Sequence, residues 1–372
     1  MSEGHHSATD ETLPPGIGAP PGTPTGERPG RPGHAASGKP APAGTLRRLA
    51  PVAGLFFLAP LVGEFLLGNV PITLLPALPF FALLYGGGAL LIREAARRAG
   101  RGWPTMVPLA AAYALFEEGP VDQLLWNDSY AGHDYLHGVS YVPALGTSVE
   151  VVQTVLALHV VWSMCVPIAI VETFVPRRRT TPWLGRLGLT VTAAVFASGA
   201  VVVFLGNYAE AHFVAPPAQE IEAAVVILGL VVLAFRLPSR PVPEAGAPAP
   251  SPALVGAAAL LVTSAWWGPA VLVTADWYDW AGIALWFLLV VAGVLIVHRW
   301  SRRRGWGARH RFALAAGAAL TYVWAAFPNR PEADGVPPSL DLTGNVVLGA
   351  AAVVVLILAW RVAARSDAAE GK

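Results

Sequence analysis

Long uncharged stretches are the feature that most restricts how this chain can fold. Ten of them follow one another between residues 49 and 360, separated by short polar links. A helix that crosses the hydrocarbon core of a bilayer needs roughly 20 residues, and a lipid-exposed backbone must satisfy its own hydrogen bonds. The stretches also lack the period-two alternation of a membrane barrel strand. We therefore predict an all-α, polytopic transmembrane helix bundle of about ten spans.

The predicted spans extend each stretch to the length that a bilayer requires. They lie near residues 49–69, 73–93, 104–126, 149–175, 187–206, 219–236, 253–274, 280–298, 312–327 and 344–361.

Composition agrees with this class and excludes others. Hydrophobic residues make up 54% of the chain and charged residues 13%, against about 25% charged in soluble domains, which excludes a soluble enzyme of this size. The net charge of +1 indicates no nucleic-acid partner. Cys165 is the single cysteine, so no intrachain disulfide can form. The preference for arginine over lysine is typical of a GC-rich bacterial genome.

The chain divides by composition into four parts. Residues 1–44 contain nine Pro and nine Gly and predict a disordered tail without a signal peptide, so the first membrane helix must direct insertion. Residues 45–215 form a membrane half that carries polar side chains within its spans. Residues 216–362 form an apolar half whose Ala and Gly allow close helix packing. Residues 363–372 are a second tail.

Basic residues fix the expected orientation. When alternate links are compared, 24 of the 25 Lys and Arg residues fall on the side of both termini, and only Arg330 falls on the other. By the positive-inside rule, both termini are cytoplasmic. We therefore expect a multi-pass protein of the bacterial plasma membrane, with the lipid bilayer as its first partner.

The densest polar cluster, residues 116–123, lies at the outer end of span 3 with the sequence FEEGPVDQ. Glu117 is about 20 Å from the cytoplasmic face at 1.5 Å per residue. Pro120 and Gly119 weaken the helix there. On a continuing helix, Glu118 and Asp122 would share a face, and Glu117 would point about 100° away. Burial disfavours the charged form of an acid, which suits a general base or a proton carrier.

A simpler interpretation is that span 3 ends near Phe116 and that the acids lie among headgroups or in water. Whether the helix breaks at Gly119–Pro120 is left open by the sequence.

His159 of span 4 is expected at a depth similar to that of the acidic pair. Ser163, one turn further on, shares its face and can hydrogen-bond to the ring. A lone buried histidine more often links neighbouring helices than performs chemistry. The acids at the same depth are what favour a site here.

Further polar residues extend this hypothesis toward the outer face. The expected polar cavity is lined by Glu64, Asp122, Gln123, Asn127, Ser163 and Asn207. Metal ligands could also come from Glu210, His212, His133 and His137, although no pair has zinc-motif spacing, so metal and cofactor dependence stay open. Asp276 and Asp279 fit a solvated turn, and Glu172 near the arginine run fits a structural ion pair.

The order Glu-Glu, His, His resembles the CAAX-protease and bacteriocin-processing family of membrane glutamic proteases. Glu117 and Glu118 match the paired acids, His159 the first histidine and His212 the second. Asp122, Val155 and Pro216 depart from the family's flanking residues, and the resemblance covers about a hundred positions. It implies that Glu117 or Glu118 activates water for attack on a peptide bond. His159 and His212 would then stabilise the oxyanion or carry the proton.

Two other classes fit the same sequence. A proton-coupled carrier for a small solute would use Glu117 or Glu118 as its proton site, although no inverted repeat relates the two halves. A membrane scaffold or partner subunit would have no chemistry of its own. The sequence therefore leaves open whether the chain is an enzyme and, if so, what its substrate is.

Overall fold

Helices account for nearly all regular structure in the chain. A computed structural model describes residues 44–239, 246–273, 275, 277–331, 333 and 335–370. Over these residues the fold is an all-α polytopic bundle, and the one sheet is a short antiparallel hairpin of β1 (Tyr141–Val142) and β2 (Thr147–Ser148). The predicted N-terminal tail lies outside the described residues except for Gly44, and Asp276 also lies outside them.

The α-helices run in chain order as follows: α1 Thr45–Pro60, α2 Leu78–Arg98, α3 Trp103–Phe116, α4 Val149–Ala157, α5 Val166–Phe174, α6 Arg186–Ala211, α7 Pro217–Arg236, α8 Pro252–Leu272, α9 Trp277–Ser301, α10 Ala308–Ala325 and α11 Pro338–Glu370. A 3-10 helix, Ile72–Ala77, leads into α2, and another, Pro176–Arg178, follows α5. The last helix therefore continues through most of the segment predicted as a C-terminal tail.

Three π-helical turns complete the spans. Leu61–Phe65 extends α1, Glu117–Val121 extends α3, and Leu158–Cys165 joins α4 to α5. Every one of them carries a polar residue singled out above: Glu64 in the first, the paired acids in the second and His159 in the third. Single π turns inside α-helices occur frequently at functional sites.

Eight of the described helical segments are long and apolar enough to cross a membrane. The segments at predicted spans 3 and 9, which contain α3 and α10, are not among these eight. Both lie inside the bundle, since most residues of each are buried.

The peripheral helices expose their large apolar side chains. On α6 to α9, more than half of the surface of Leu187, Val225, Leu261 and Leu288 is exposed. Apolar surface exposed on this scale belongs in lipid rather than in water. The bundle therefore contacts the bilayer, as the sequence predicted.

The described residues form one compact unit, and packing crosses the predicted boundary between its two halves. Helix α7 lies against α3, and α10 lies against α5. Small residues permit the closest approaches, for example where Gly317 of α10 meets the backbone of Gly256 in α8. The apolar half therefore helps to enclose the elements that carry the polar residues.

A buried ion network joins the C-terminal part of α2 to the C-terminal end of α5. Glu172 accepts two hydrogen bonds from Arg97, at 2.9 and 2.6 Å, and lies 3.0 Å from Nε of Arg93. The Arg93 guanidinium also stacks on the Trp183 ring at 3.3 Å. The interpretation of Glu172 as part of a structural ion pair is confirmed by these contacts.

Candidate functional site

The candidate site lies where three helical segments meet inside the bundle. The π turn Glu117–Val121 brings in the two acids, the π turn Leu158–Cys165 brings in His159, and α2 brings in Tyr85. Pro120 has no N–H to donate, and the N–H of Asp122 bonds to the Glu117 carbonyl at 2.6 Å, five residues back. Span 3 is thus not broken at Gly119–Pro120, because a π turn absorbs the irregularity.

Both carboxylates approach a single ring nitrogen. Nε2 of His159 lies 2.6 Å from Oε1 of Glu118 and 2.9 Å from Oε2 of Glu117. The exposed fractions are 2% for Glu117, 6% for Glu118 and 4% for His159. The expectation that the acids and the ring converge below the surface therefore holds in the structure.

The expectation from a regular helical wheel was wrong for these acids. It turned Glu117 away from Glu118, whereas both glutamates reach His159. A π turn places more residues in each turn than an α-helix does, so neighbouring side chains shift around the axis. Spacing rules for an α-helix do not apply across such a turn.

Two hydroxyl groups contact the cluster, one at a carboxylate and one at the ring. Tyr85 donates a hydrogen bond to Oε1 of Glu117 at 3.1 Å, and the Ser163 hydroxyl lies 3.1 Å from Nδ1 of His159. Ser163 is itself 1% exposed. The orientation of one carboxylate and of the imidazole ring is therefore fixed from outside the cluster.

The charges of the cluster do not balance when both carboxylates are ionised. Two ionised carboxylates carry a charge of −2, and a protonated His159 would reduce this only to −1. Uncompensated charge in a buried, low-dielectric site is costly. A proton or a bound cation at the cluster would remove this cost.

Tyr113 borders the cluster and was missed in the sequence, as was Tyr85. Its ring centroid lies 6.1 Å from that of His159 and 6.3 Å from that of Tyr85. The Tyr113 hydroxyl is buried and has no hydrogen-bond partner among the described residues. Tyr113 precedes Glu117 by four residues, a spacing that could have identified it. Tyr85 lies in an apolar run and gave no comparable signal.

Glu64 is half-buried in the π turn Leu61–Phe65. Its neighbour Gly63 packs directly against Ser163, because a Cβ at position 63 would lie 2.7 Å from the Ser163 hydroxyl oxygen. This turn therefore forms one wall of the site, and glycine is what allows it to approach.

The other residues predicted to line the cavity form a separate group nearer the hairpin end of the bundle. Asn207 hydrogen-bonds to the carboxylate and the carbonyl of Asp122, and Tyr130 donates to the same carboxylate at 2.9 Å. Gln123 accepts from the backbone of Ala215 at 3.0 Å. Asn127 also lies in this region and accepts from Ser129 N at 3.0 Å. These contacts fix the loop after α3, and the prediction that these residues line the same cavity as the glutamates stays a prediction.

His212 does not join the cluster. It is exposed at the C-terminal end of α6, in the left-handed conformation with φ 51°, and its ring packs beside Tyr208. This residue ends the helix, so its side chain leaves the bundle. The expected second histidine is therefore absent from the geometry.

The exposed loop histidines are also separate from the site. His137 lies 2.9 Å from Asp134, and His133 packs beside Tyr135. Backbone N–H groups of His137 and Leu136 donate to Asp134 and lower the pKa of its carboxyl. The group of described residues that could hold a metal ion consists of Glu117, Glu118 and His159, whose ligand atoms lie within 4.8 Å of one another.

Comparison with known proteins gives a family but no activity. A model of an uncharacterised membrane protein family matches residues 55–368. The chain belongs to that family. No match is found among curated proteins or among solved structures. The family description covers membrane location and does not extend to membrane glutamic proteases, so that resemblance stays a prediction.

Proposed function

We propose that the chain is an intramembrane hydrolase that cleaves peptide bonds. The observation that carries the proposal is the contact of two buried carboxylates with one imidazole nitrogen, at 2.6 and 2.9 Å. Paired acids and an imidazole that share protons in a low-dielectric site are the groups that water activation requires. The likeness to membrane glutamic proteases points to the same substrate class.

The reaction assigns a task to each group. One glutamate, Glu117 or Glu118, takes a proton from water, and the resulting hydroxide attacks the carbonyl carbon of the peptide. When the C–N bond breaks, the proton passes through His159 to the leaving amine. Tyr113, whose hydroxyl has no other partner among the described residues, would donate to the oxyanion in place of the second histidine.

Activity on a membrane-embedded reporter peptide tests this proposal. Glu118→Gln and His159→Ala should each abolish cleavage by the full chain in lipid vesicles. Glu150→Gln and His133→Ala serve as matched controls, because both residues are exposed and should leave cleavage unchanged. Cleavage that persists in the first two variants would rule these residues out.

Orientation belongs to the same proposal. We place both termini in the cytoplasm of a bacterial cell, with the site in the outer half of the plasma membrane, because 24 of 25 basic residues lie on the side of the termini. A reporter enzyme that works only in the periplasm should be active when it is fused after Arg330. An inactive reporter in that fusion would invert the assignment.

Burial of the cluster also favours a second candidate, a proton-coupled carrier for a small solute. The three groups are at most 6% exposed, as expected for a proton site that opens only during a transport cycle. Reconstituted vesicles should then show pH-driven solute uptake that Glu118→Gln abolishes. A scaffold role is favoured if neutral substitution of both glutamates changes neither cleavage nor uptake. The doubly substituted chain should then also restore the normal phenotype of cells that lack the protein.

A further inference from the structure

We propose that Glu117, Glu118 and His159 bind a divalent metal ion such as Zn²⁺, Co²⁺ or Fe²⁺. Their ligand atoms, two carboxylate oxygens and one imidazole nitrogen, lie within 4.8 Å of one another. Oxygen and nitrogen donors of this kind suit Zn²⁺, Co²⁺ and Fe²⁺. Three protein ligands leave a fourth position open, as in catalytic rather than structural zinc sites.

An unsatisfied carboxylate oxygen gives independent support. Oε2 of Glu117 is buried and accepts no hydrogen bond from the described residues, although it lies 2.9 Å from Nε2 of His159. Nε2 carries at most one hydrogen, and its hydrogen bond is with Glu118. A buried acceptor without a donor is costly, and a cation placed between the three groups would satisfy it.

The surrounding contacts are those that metal ligands need. A ligating histidine usually donates its second ring N–H to a neighbour, and a ligating carboxylate is usually held by a hydrogen bond. Ser163 lies 3.1 Å from Nδ1 of His159, which leaves Nε2 for the ion, and Tyr85 holds Oε1 of Glu117 at 3.1 Å. Both supporting residues are buried, so these orientations persist without water.

The charge of a divalent ion and the length of its bonds also fit the cluster. A divalent ion neutralises two carboxylates, which a single imidazolium cannot do. Bonds of about 2.0 to 2.1 Å in tetrahedral geometry place ligand atoms about 3.3 Å apart. The present separations from Nε2 are 2.6 and 2.9 Å, so the ligands need to move apart by only about half an ångström, which small side-chain rotations provide.

The binding part of this inference stands on ligand geometry alone. Its catalytic part, polarisation of a water at the open position, rests on the proposed hydrolase and replaces the proton relay through His159 given there, because an ion on Nε2 occupies the nitrogen that would carry the proton. The two are separated by measuring binding and cleavage on the same preparation.

The test uses the full chain without a histidine tag, purified in detergent, stripped with a chelator and titrated with Co²⁺ or Zn²⁺. The wild type should bind one ion more than His159→Gln does, and Co²⁺ should give the absorption bands of a four-coordinate site. Ser163→Ala should weaken binding by about 10- to 100-fold. His133→Gln with His137→Gln, both exposed, should leave the site unchanged.

Metal should raise the unfolding temperature of the wild type and leave that of Glu118→Gln unchanged. A measurable unfolding transition in Glu118→Gln shows that the variant is folded. Equal stoichiometry in the wild type and in a folded His159→Gln variant would overturn the inference. Tight binding without peptide cleavage would refute the hydrolase alone. Cleavage that persists after complete removal of the metal, without site-specific binding, would refute the metal alone.

Discussion

Removal of the His159 imidazole should destabilise the protein, because the ring reduces the repulsion between the carboxylates of Glu117 and Glu118. In the metal-free protein, His159→Gln leaves Glu117 and Glu118 facing each other in a site that is at most 6% exposed. Removing one partner of a buried charged group typically costs about 3–5 kcal/mol, because the remaining charge has neither water nor a counterion. We expect a loss of this size in the free energy of unfolding at neutral pH.

The second substitution decides whether charge is the cause. Adding Glu118→Gln to His159→Gln removes the repulsion, so the double variant should regain much of the lost stability. A double-mutant cycle gives this coupling directly. The assay is reversible unfolding in mixed micelles titrated with sodium dodecyl sulfate, with the protein metal-free throughout. A loss below about 1 kcal/mol in His159→Gln, or additive losses in the double variant, would refute the reasoning.

Three further predictions concern packing, the ion network and the site. Gly317→Leu should destabilise the bundle by about 1–3 kcal/mol, because its side chain would collide with the backbone of Gly256; unchanged unfolding would contradict the close approach. Glu172→Ala should cost about 3–5 kcal/mol in the same assay by leaving Arg97 buried without its carboxylate, whereas a loss near zero would show the network to be dispensable. Tyr113→Phe should lower the turnover of reporter cleavage about 100-fold with an unchanged melting temperature, and wild-type turnover would exclude the hydroxyl from the reaction.

The fold could be predicted because a bilayer permits few kinds of secondary structure to cross it. A long uncharged stretch whose backbone must satisfy its own hydrogen bonds can form little except a helix, and each predicted span overlaps a described helix. The same argument could not identify which helices are enclosed. Most residues of α3 and α10 are buried, and neither helix is among the eight described segments that qualify as membrane spans.

The site could be predicted in part. Glu117, Glu118 and His159 stood out because ionisable groups are rare and costly inside a membrane. Their exact meeting depends on π turns, and although Gly119 and Pro120 marked an irregularity in span 3, the spacing rules of an α-helix did not predict its geometry. Tyr85 was missed because a tyrosine in an apolar helix shows its partner only when the neighbouring helix is in place.

The most direct test of the central claim is the distance between the His159 ring and the glutamate carboxyls in lipid. Solid-state NMR on the full chain, with ¹⁵N-histidine and ¹³C-carboxyl glutamate, measures this coupling. We expect a strong short-range coupling in the wild type that disappears in His159→Gln and persists in His133→Gln. A wild-type spectrum without that coupling would show that the acids and the ring do not meet, and the proposed site would be wrong.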